Sequence, residues 1–280
     1  MLRVTATEPL KALIGGKGCV LVPTMGALHE GHRALVRLGR SEADARRCPL
    51  IVSIFVNPDQ FNDQGDLRSY PRPIDQDLAL LSAEGTDIAF TPDVAAMYPA
   101  ASPTAAPQPA VPDVGVQPGL EDAYRPGHFK GVCRVVSRLF DLCGPSAAVF
   151  GAKDWQQCRV VGDLCQQQGR PTDIVVGPTV RESDGLALSS RNQHLDADAR
   201  ERASAIWRGF QLARLEPGLL AAEAALRQTM DDAGFAVEYA TIRDAQTLMR
   251  PVDPSKNQLR MFAAGSLGGV RLLDNEPWPA

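Results

Sequence analysis

No stretch of this 280-residue chain approaches the roughly 20 consecutive apolar residues that a bilayer-spanning helix needs. The opening MLRVTATEPLKALIGG lacks the extended apolar core of a secretory signal, so a cytoplasmic protein with no membrane partner is expected. Cysteine is sparse and unpatterned. Six residues, at positions 19, 48, 133, 143, 158 and 165, form no CxxC pair and no regular framework, which argues against a disulfide scaffold and predicts reduced thiols in the core. Basic residues are not in excess either: 29 Lys and Arg stand against 33 Asp and Glu, a formal charge of −4 that gives no overall field for holding a nucleic acid. The Walker loop and the dinucleotide fingerprint GxGxxG are both missing. Histidine is scarce, with only four residues in the chain.

What is present is ample apolar material, 44% of the residues, in an alternating pattern. CVLVP (19–23) and LIVSIFVN (50–57) are nearly uninterrupted β-branched runs, the signature of strands covered on both faces. Between them Ala34, Leu35 and Leu38 recur at helical spacing, giving a strand–helix–strand unit. The rhythm continues through IDQDLALLSAEG, DIAFTP, HFKGVCRVVSRLFDLC, AAVFG, DWQQCRVVGDLCQQQG and DIVVGP. This predicts an α/β fold, a doubly wound Rossmann-like parallel sheet over residues 1–178. Beyond it, helices over 196–213 and 217–233 precede strands near VEYATIRD, LRMFAAG and GVRLLDN, a smaller α+β domain over residues 179–280. The segment Met97 to Gly119 carries six prolines and is predicted to be neither regular helix nor central strand.

Two of the four histidines, His29 and His32, lie together in PTMGALHEGH. A zinc pair would need a third ligand, and no Cys or His is clustered nearby. Position favours another chemistry. The stretch sits at the carboxyl end of the first predicted strand, where a helix begins, and helix N-termini offer unpaired N–H groups to anions. Two imidazoles there add donors to charge that grows on a transferring phosphoryl group. A purely structural role, capping and packing the helix entry, accounts for the same residues.

The HxGH element resembles the HIGH signature of the nucleotidyltransferase superfamily. PTMGALHEGH, SIFVNPDQF, YRPGHFKGV, FGAKDWQQ and VRESDGLALSSRN, in this order, with GVRLLDN near the end, resemble the pantothenate synthetase (pantoate–β-alanine ligase) family over nearly the whole chain. The resemblance implies ATP-dependent condensation of pantoate with β-alanine through a pantoyl adenylate, with pyrophosphate and AMP released. It implies magnesium arriving with ATP and a homodimer.

By matched position, the resemblance makes His29 and His32 contacts of the ATP phosphates during adenylation, and it places Met25 between nucleotide and pantoate. Gln60 and Gln157 match the amides that hold pantoate, with Asn57 in support. Lys153 and Asp154 match phosphate and ribose contacts. Ser189, Ser190 and Arg191 match the loop on the β- and γ-phosphates, and Pro23, Gly151, Val180 and Leu188 complete the implied nucleotide surface. His29, His32, Lys153, Ser189 and Arg191 are the implied catalytic set, with no protein-held metal. His128, Glu121 and Arg125 match the entrance, where a helix cap and an exposed ion pair are equally good readings. His194 is read as a surface or packing residue.

Several positions depart from the family pattern. Asp59 stands where an apolar residue is usual, Asn62 where glycine is usual, Gln76 where an acid is usual, and Trp155 where tyrosine is usual. These leave open a paralogous AMP-forming ligase that joins another acid to another amine. A catalytically silent nucleotide-binding subunit is the alternative from a different class.

Overall fold

Val20, Leu21 and Val22 are fully buried, as are Leu50, Ile51 and Val52, which is what continuous β-branched runs require of central parallel strands. The computed structural model describes residues 1–280 apart from 17, 62–63, 100–107, 256–257 and 279–280. The strands are β1 (Leu2–Val4), β2 (Val20–Thr24), β3 (Leu50–Ile54), β4 (Ile88–Phe90), β5 (Ala147–Gly151), β6 (Asp173–Gly177), β7 (Ala236–Asp244), β8 (Leu259–Leu267) and β9 (Val270–Trp278). The helices are α1 (Thr7–Ile14), α2 (Glu30–Arg46), α3 (Gln64–Ser69), α4 (Ile74–Ala83), α5 (Val94–Met97), α6 (Glu121–Tyr124), α7 (His128–Cys143), α8 (Trp155–Gln167), α9 (Ala197–Ala203), α10 (Ala205–Ala213) and α11 (Leu219–Asp232).

The chain divides into two units, one formed by residues 1–151 with 157–177 and the other by residues 152–156 with 178–280. The sequence pattern runs the first domain unbroken to 178, whereas the short segment 152–156 packs with the second unit.

In the first unit six parallel strands take the order β1-β4-β3-β2-β5-β6. This is the doubly wound α/β arrangement that the alternating pattern predicts. The edge strand β1 and helix α1 escape the sequence reading, because three residues carry no usable periodicity and α1 has no side-chain N-cap. Of the proline-rich segment, residues 100–107 lie outside the described residues, and its later part contains a single 3₁₀ turn, Asp113–Gly115. None of the six cysteines is in a disulfide; five are buried and Cys48 is half-buried.

The second unit is an antiparallel sheet β7-β8-β9 with helices α9, α10 and α11. Phe210, Leu226, Met230, Ile242 and Met261 form its core. The single helix predicted over 196–213 is two, separated at Ser204, whose hydroxyl accepts from Arg208 Nη1 at 2.6 Å.

Gly185 turns the hairpin between Arg181 and Ala187 with φ +92°, and a Cβ there would lie 1.9 Å from Trp207 Cδ1. Gly162, inside α8, has nothing within 4 Å of a Cβ. Gly185→Ala is expected to cost more than about 3 kcal/mol, from overpacking added to left-handed strain. Gly162→Ala is expected to gain about 0.5–1 kcal/mol from helix propensity. Chemical denaturation of both variants checks the pair.

Candidate active site

The strand order places β2 between β3 and β5: the chain leaves β2 toward β3 on one side and leaves β5 toward β6 on the other, so the strand order reverses between β2 and β5. The crevice outside the carboxyl ends of such strands is where open α/β sheets bind ligands. Pro23 and Thr24 end β2, Met25 to His32 come next, Asn57 and Gln60 lie just after β3, and Gly151 ends β5. Gln157 stands in the first turn of α8, half-buried. The first-unit residues matched to nucleotide and acid therefore follow the carboxyl ends of β2, β3 and β5.

At the start of α2 the two histidines cap each other's backbone. His29 Nδ1 accepts from the N–H of Gly31 at 3.1 Å, and His32 Nδ1 accepts from the N–H of His29 at 3.4 Å. Their rings lie 4.1 Å apart between centroids. A neutral imidazole that accepts at Nδ1 carries its hydrogen on Nε2. The cap thus satisfies orphan amides and, by the same bonds, makes each ring an Nε2–H donor. The structural reading of these histidines, as caps of the helix entry, is what the bonds show.

The loop that leads into α2 is held by a residue to which the sequence assigned no site role. Asp77 of α4, only 2% exposed, accepts from the N–H of Ala27 at 2.9 Å through one carboxylate oxygen and from that of Leu28 at 2.8 Å through the other. Ala27 has φ 52°, a left-handed conformation that an alanine keeps only when its surroundings hold it there. Burial pushes the Asp77 carboxyl up, and the two amides pull it back. Its neighbour Gln76 is exposed on the same helix. The signal in the sequence was an acid among apolar residues at a helix start.

Gln60 ends a 3₁₀ turn, Pro58–Gln60, capped by Asn57. Its carbonyl accepts from Arg125 Nη2 at 3.2 Å and faces His128 Nδ1 at 3.1 Å. Arg125 Nη1 lies 3.3 Å from His128 Nε2, so His128 donates through Nδ1 and accepts at Nε2. His128 is 7% exposed, and Gly127 rather than this ring occupies the N-cap of α7. Glu121, 9% exposed in its side chain, lies 3.5 Å from Arg125. The exposed ion pair considered from sequence is in fact a buried carboxylate with a half-buried guanidinium that also holds the Gln60 carbonyl. Gly131 of α7 lets that turn approach, since a Cβ would lie 2.2 Å from Asp59 O. Asp59 itself pairs with Arg134 of α7, a partner with no local signature in the sequence. Asn62 lies outside the described residues.

In the second unit, strand β9 organises two pieces. Asn275 Nδ2 donates to the carbonyls of Ala152 at 2.9 Å and Lys153 at 2.6 Å, fixing the 3₁₀ turn Ala152–Asp154. Trp155 Nε1 donates to Ala245 O at 2.7 Å, and Arg260 stacks on its ring at 3.9 Å, so the indole in place of the usual tyrosine is built into the packing. Arg181 binds Asp274 and Glu276, each at 2.6 Å, and lies over Trp207 at 4.3 Å. Burial pushes the Asp274 carboxyl up and the Arg181 guanidinium draws it down. The hairpin thereby fixed pairs Val180 with Leu188, whose N–H donates to Val180 O at 3.0 Å. Ser189 caps the 3₁₀ turn Ser190–His194 by accepting from the N–H of Arg191 at 3.3 Å. The turn with Lys153 and Asp154 and the hairpin with Val180, Leu188, Ser189, Ser190 and Arg191 are therefore both attached to one strand. His194 is exposed, in keeping with a surface role.

A family model for pantoate–β-alanine ligase matches residues 4–277. The pantothenate synthetase of Paracoccus denitrificans is 46% identical over 93% of this chain and 90% of its own length. That of Chlorobium phaeovibrioides is 42% identical over 97% and 94%. The crystal structure of pantothenate synthetase from Thermus thermophilus superposes with a TM-score of 0.91 at 38% identity, covering all of both chains. The pantoate–β-alanine ligase of Francisella tularensis, solved in complex with β,γ-ATP and β-alanine, gives 0.80 at 30% identity over 99% of this chain and 97% of its own. With matches of this extent and its strand-end residues in place, the chain belongs to the pantoate–β-alanine ligase family, that of the pantothenate synthetases.

Proposed function

We propose that this protein joins pantoate to β-alanine with cleavage of ATP to AMP and pyrophosphate. The observation that carries the reading is the reciprocal histidine cap, which sets two Nε2–H donors at the N-terminus of α2, at the switch point of the sheet, in a member of this ligase family. In the first half-reaction a pantoate carboxylate oxygen attacks the α-phosphorus, the bond from that phosphorus to the bridging oxygen breaks, and pyrophosphate departs. His29 and His32 donate to the phosphate oxygens on which charge builds. In the second, the β-alanine amine attacks the acyl carbon of the adenylate, AMP leaves with the bonding pair, and the nitrogen loses a proton. Activation is needed because a free carboxylate does not yield to an amine.

Each unit carries its own share of the roles. Pro23, Met25 and Gly151 line the nucleotide side of the first unit, and Asn57, Gln60 and Gln157 hold the acid. On the second unit Lys153, Ser189, Ser190 and Arg191 contact phosphates, Asp154 the ribose, and Val180 and Leu188 complete the nucleotide surface. The phosphate contacts are N–H and O–H donors, and Asp154 is the exposed carboxylate among them, a donor set that suits magnesium carried on phosphate oxygens over one caged by protein ligands. When bound, that ion neutralises triphosphate charge. The ion pair of Asp59 with Arg134 removes one motive for a different acid. Association as a homodimer and a cytoplasmic site of action belong to this reading through the family resemblance; among the described residues no helix is long and apolar enough to cross a membrane.

AMP release from ATP is expected to require pantoate and β-alanine together; release with either absent, or none with both, refutes the assignment. His32→Ala is expected to slow pantoyl adenylate formation about 100-fold, the loss of one transition-state donor. An unchanged single-turnover rate would remove the imidazole from that step. Asp77→Ala, which frees the two loop amides, is expected to lower kcat/KM for ATP about 10- to 100-fold, read by steady-state kinetics alongside a thermal melt to separate loop placement from loss of fold.

A further inference from the structure

The amide groups of Asn57 and Gln60 look symmetrical in chemistry, but the backbone around them fixes which end of each faces where. Asn57 is fully buried. One end of its amide lies 3.1 Å from the carbonyl of Gly131, which can only accept, so that end is Nδ2. The other end lies 3.4 Å from the N–H of Asp59, which can only donate, so that end is Oδ1. Nδ2 also faces the Gln60 side chain at 3.0 Å, and the Gln60 atom that meets it is therefore Oε1. With Oε1 committed to Asn57, what Gln60 offers a bound acid is its Nε2–H pair.

Tyr98 completes this relay. Its hydroxyl donates to Asn57 Oδ1 at 3.2 Å, the shorter of the two bonds that Oδ1 accepts. The ring is held on one face by Arg134, 4.0 Å from its centroid, and meets Phe55 edge-on at 5.9 Å. Arg134 is in turn tied to Asp59, and Arg138 Nε donates to the carbonyl of Met97, the residue before Tyr98, at 2.9 Å. Tyr98 thus reaches the turn of Gln60 from outside it, at the start of the proline-rich segment.

We propose that Tyr98 is a positioning residue for the acid half of the reaction: its hydroxyl, steadied by the Arg134–Asp59 pair, holds in place the Asn57 amide whose polarity the backbone sets, so that Gln60 meets the acid with N–H donors. Such a polarity recognises carboxylate or hydroxyl oxygens and disfavours an acid that would need an acceptor there. The proposal rests on the assignment of Gln60 to the acid.

Tyr98→Phe keeps the ring against Arg134 and Phe55 and removes only the hydroxyl. It is expected to raise KM for pantoate about 3- to 10-fold, the loss of one buried hydrogen bond, with kcat and KM for ATP unchanged within about twofold. In a Gln60→Ala background the same substitution is expected to change KM for pantoate by less than about twofold, because the relay no longer has an end. An unchanged KM in the single variant, or an equal factor in both backgrounds, overturns the proposal. Side-chain amide resonances of selectively ¹⁵N-labelled protein supply a readout free of substrate: Tyr98→Phe must shift the NH₂ signals of both Asn57 and Gln60, and a shift in neither overturns it as well. If the wild-type enzyme fails to turn over pantoate, the functional assignment has failed, and the amide spectra alone decide the relay.

Discussion

Everything at the sheet's carboxyl end depends on satisfying backbone N–H groups where β2 gives way to α2. An α-helix starts with orphan donors, and this one meets its shortage with imidazole nitrogens in place of the more usual serine or aspartate oxygens. A hydroxyl cap would satisfy the amide and stop there. An imidazole has a second nitrogen across the ring, so the bond that caps the helix also fixes the tautomer and leaves an N–H donor on the far side of the ring. Asp77 does the complementary work one residue earlier in the loop, clamping the amides of Ala27 and Leu28 so that the chain enters the helix at the angle the cap needs. The entry to α2 and the tautomer of both rings are set by one group of bonds, and neither can be altered alone.

The same economy shapes the turn after β3. Its carbonyl end is gripped by Arg125 and His128, its amide end by Asn57, and the close pass of α7 is possible because Gly131 has no side chain. Three separate elements thus converge on one glutamine. The charges involved are partly or wholly removed from water, where a guanidinium without a partner is expensive, and each is matched by a carbonyl or a carboxylate within the first unit.

How far the sequence disclosed this can be judged from particular elements. The central strands were legible because short β-branched apolar runs bounded by turn residues favour buried strands, and α7 was legible because its apolar stripe and its glycine stop are both strong. The extra break at Ser204 was not, since a hydroxyl in a helical pattern reads as neutral until its partner is known. The histidine pair was legible as lying at a helix entry, yet its reciprocal bonding was not, because side-chain periodicity says nothing of which ring nitrogen accepts. Asp59 looked like an intrusion into the acid pocket; its partner Arg134 lies 75 residues away in sequence and announces itself only in three dimensions. Asp77 and Tyr98 were hidden for the same reason: their work is done on backbone and amide groups that carry no signature of their own.

Strand β9 reaches the turn at 152–154 through Asn275 and the hairpin at 181–187 through its two flanking carboxylates. During translation both of those segments leave the ribosome well before the strand that joins them. A nascent chain therefore holds these two pieces of the second unit unattached until β9 itself, the last-made of the three, has emerged to join them.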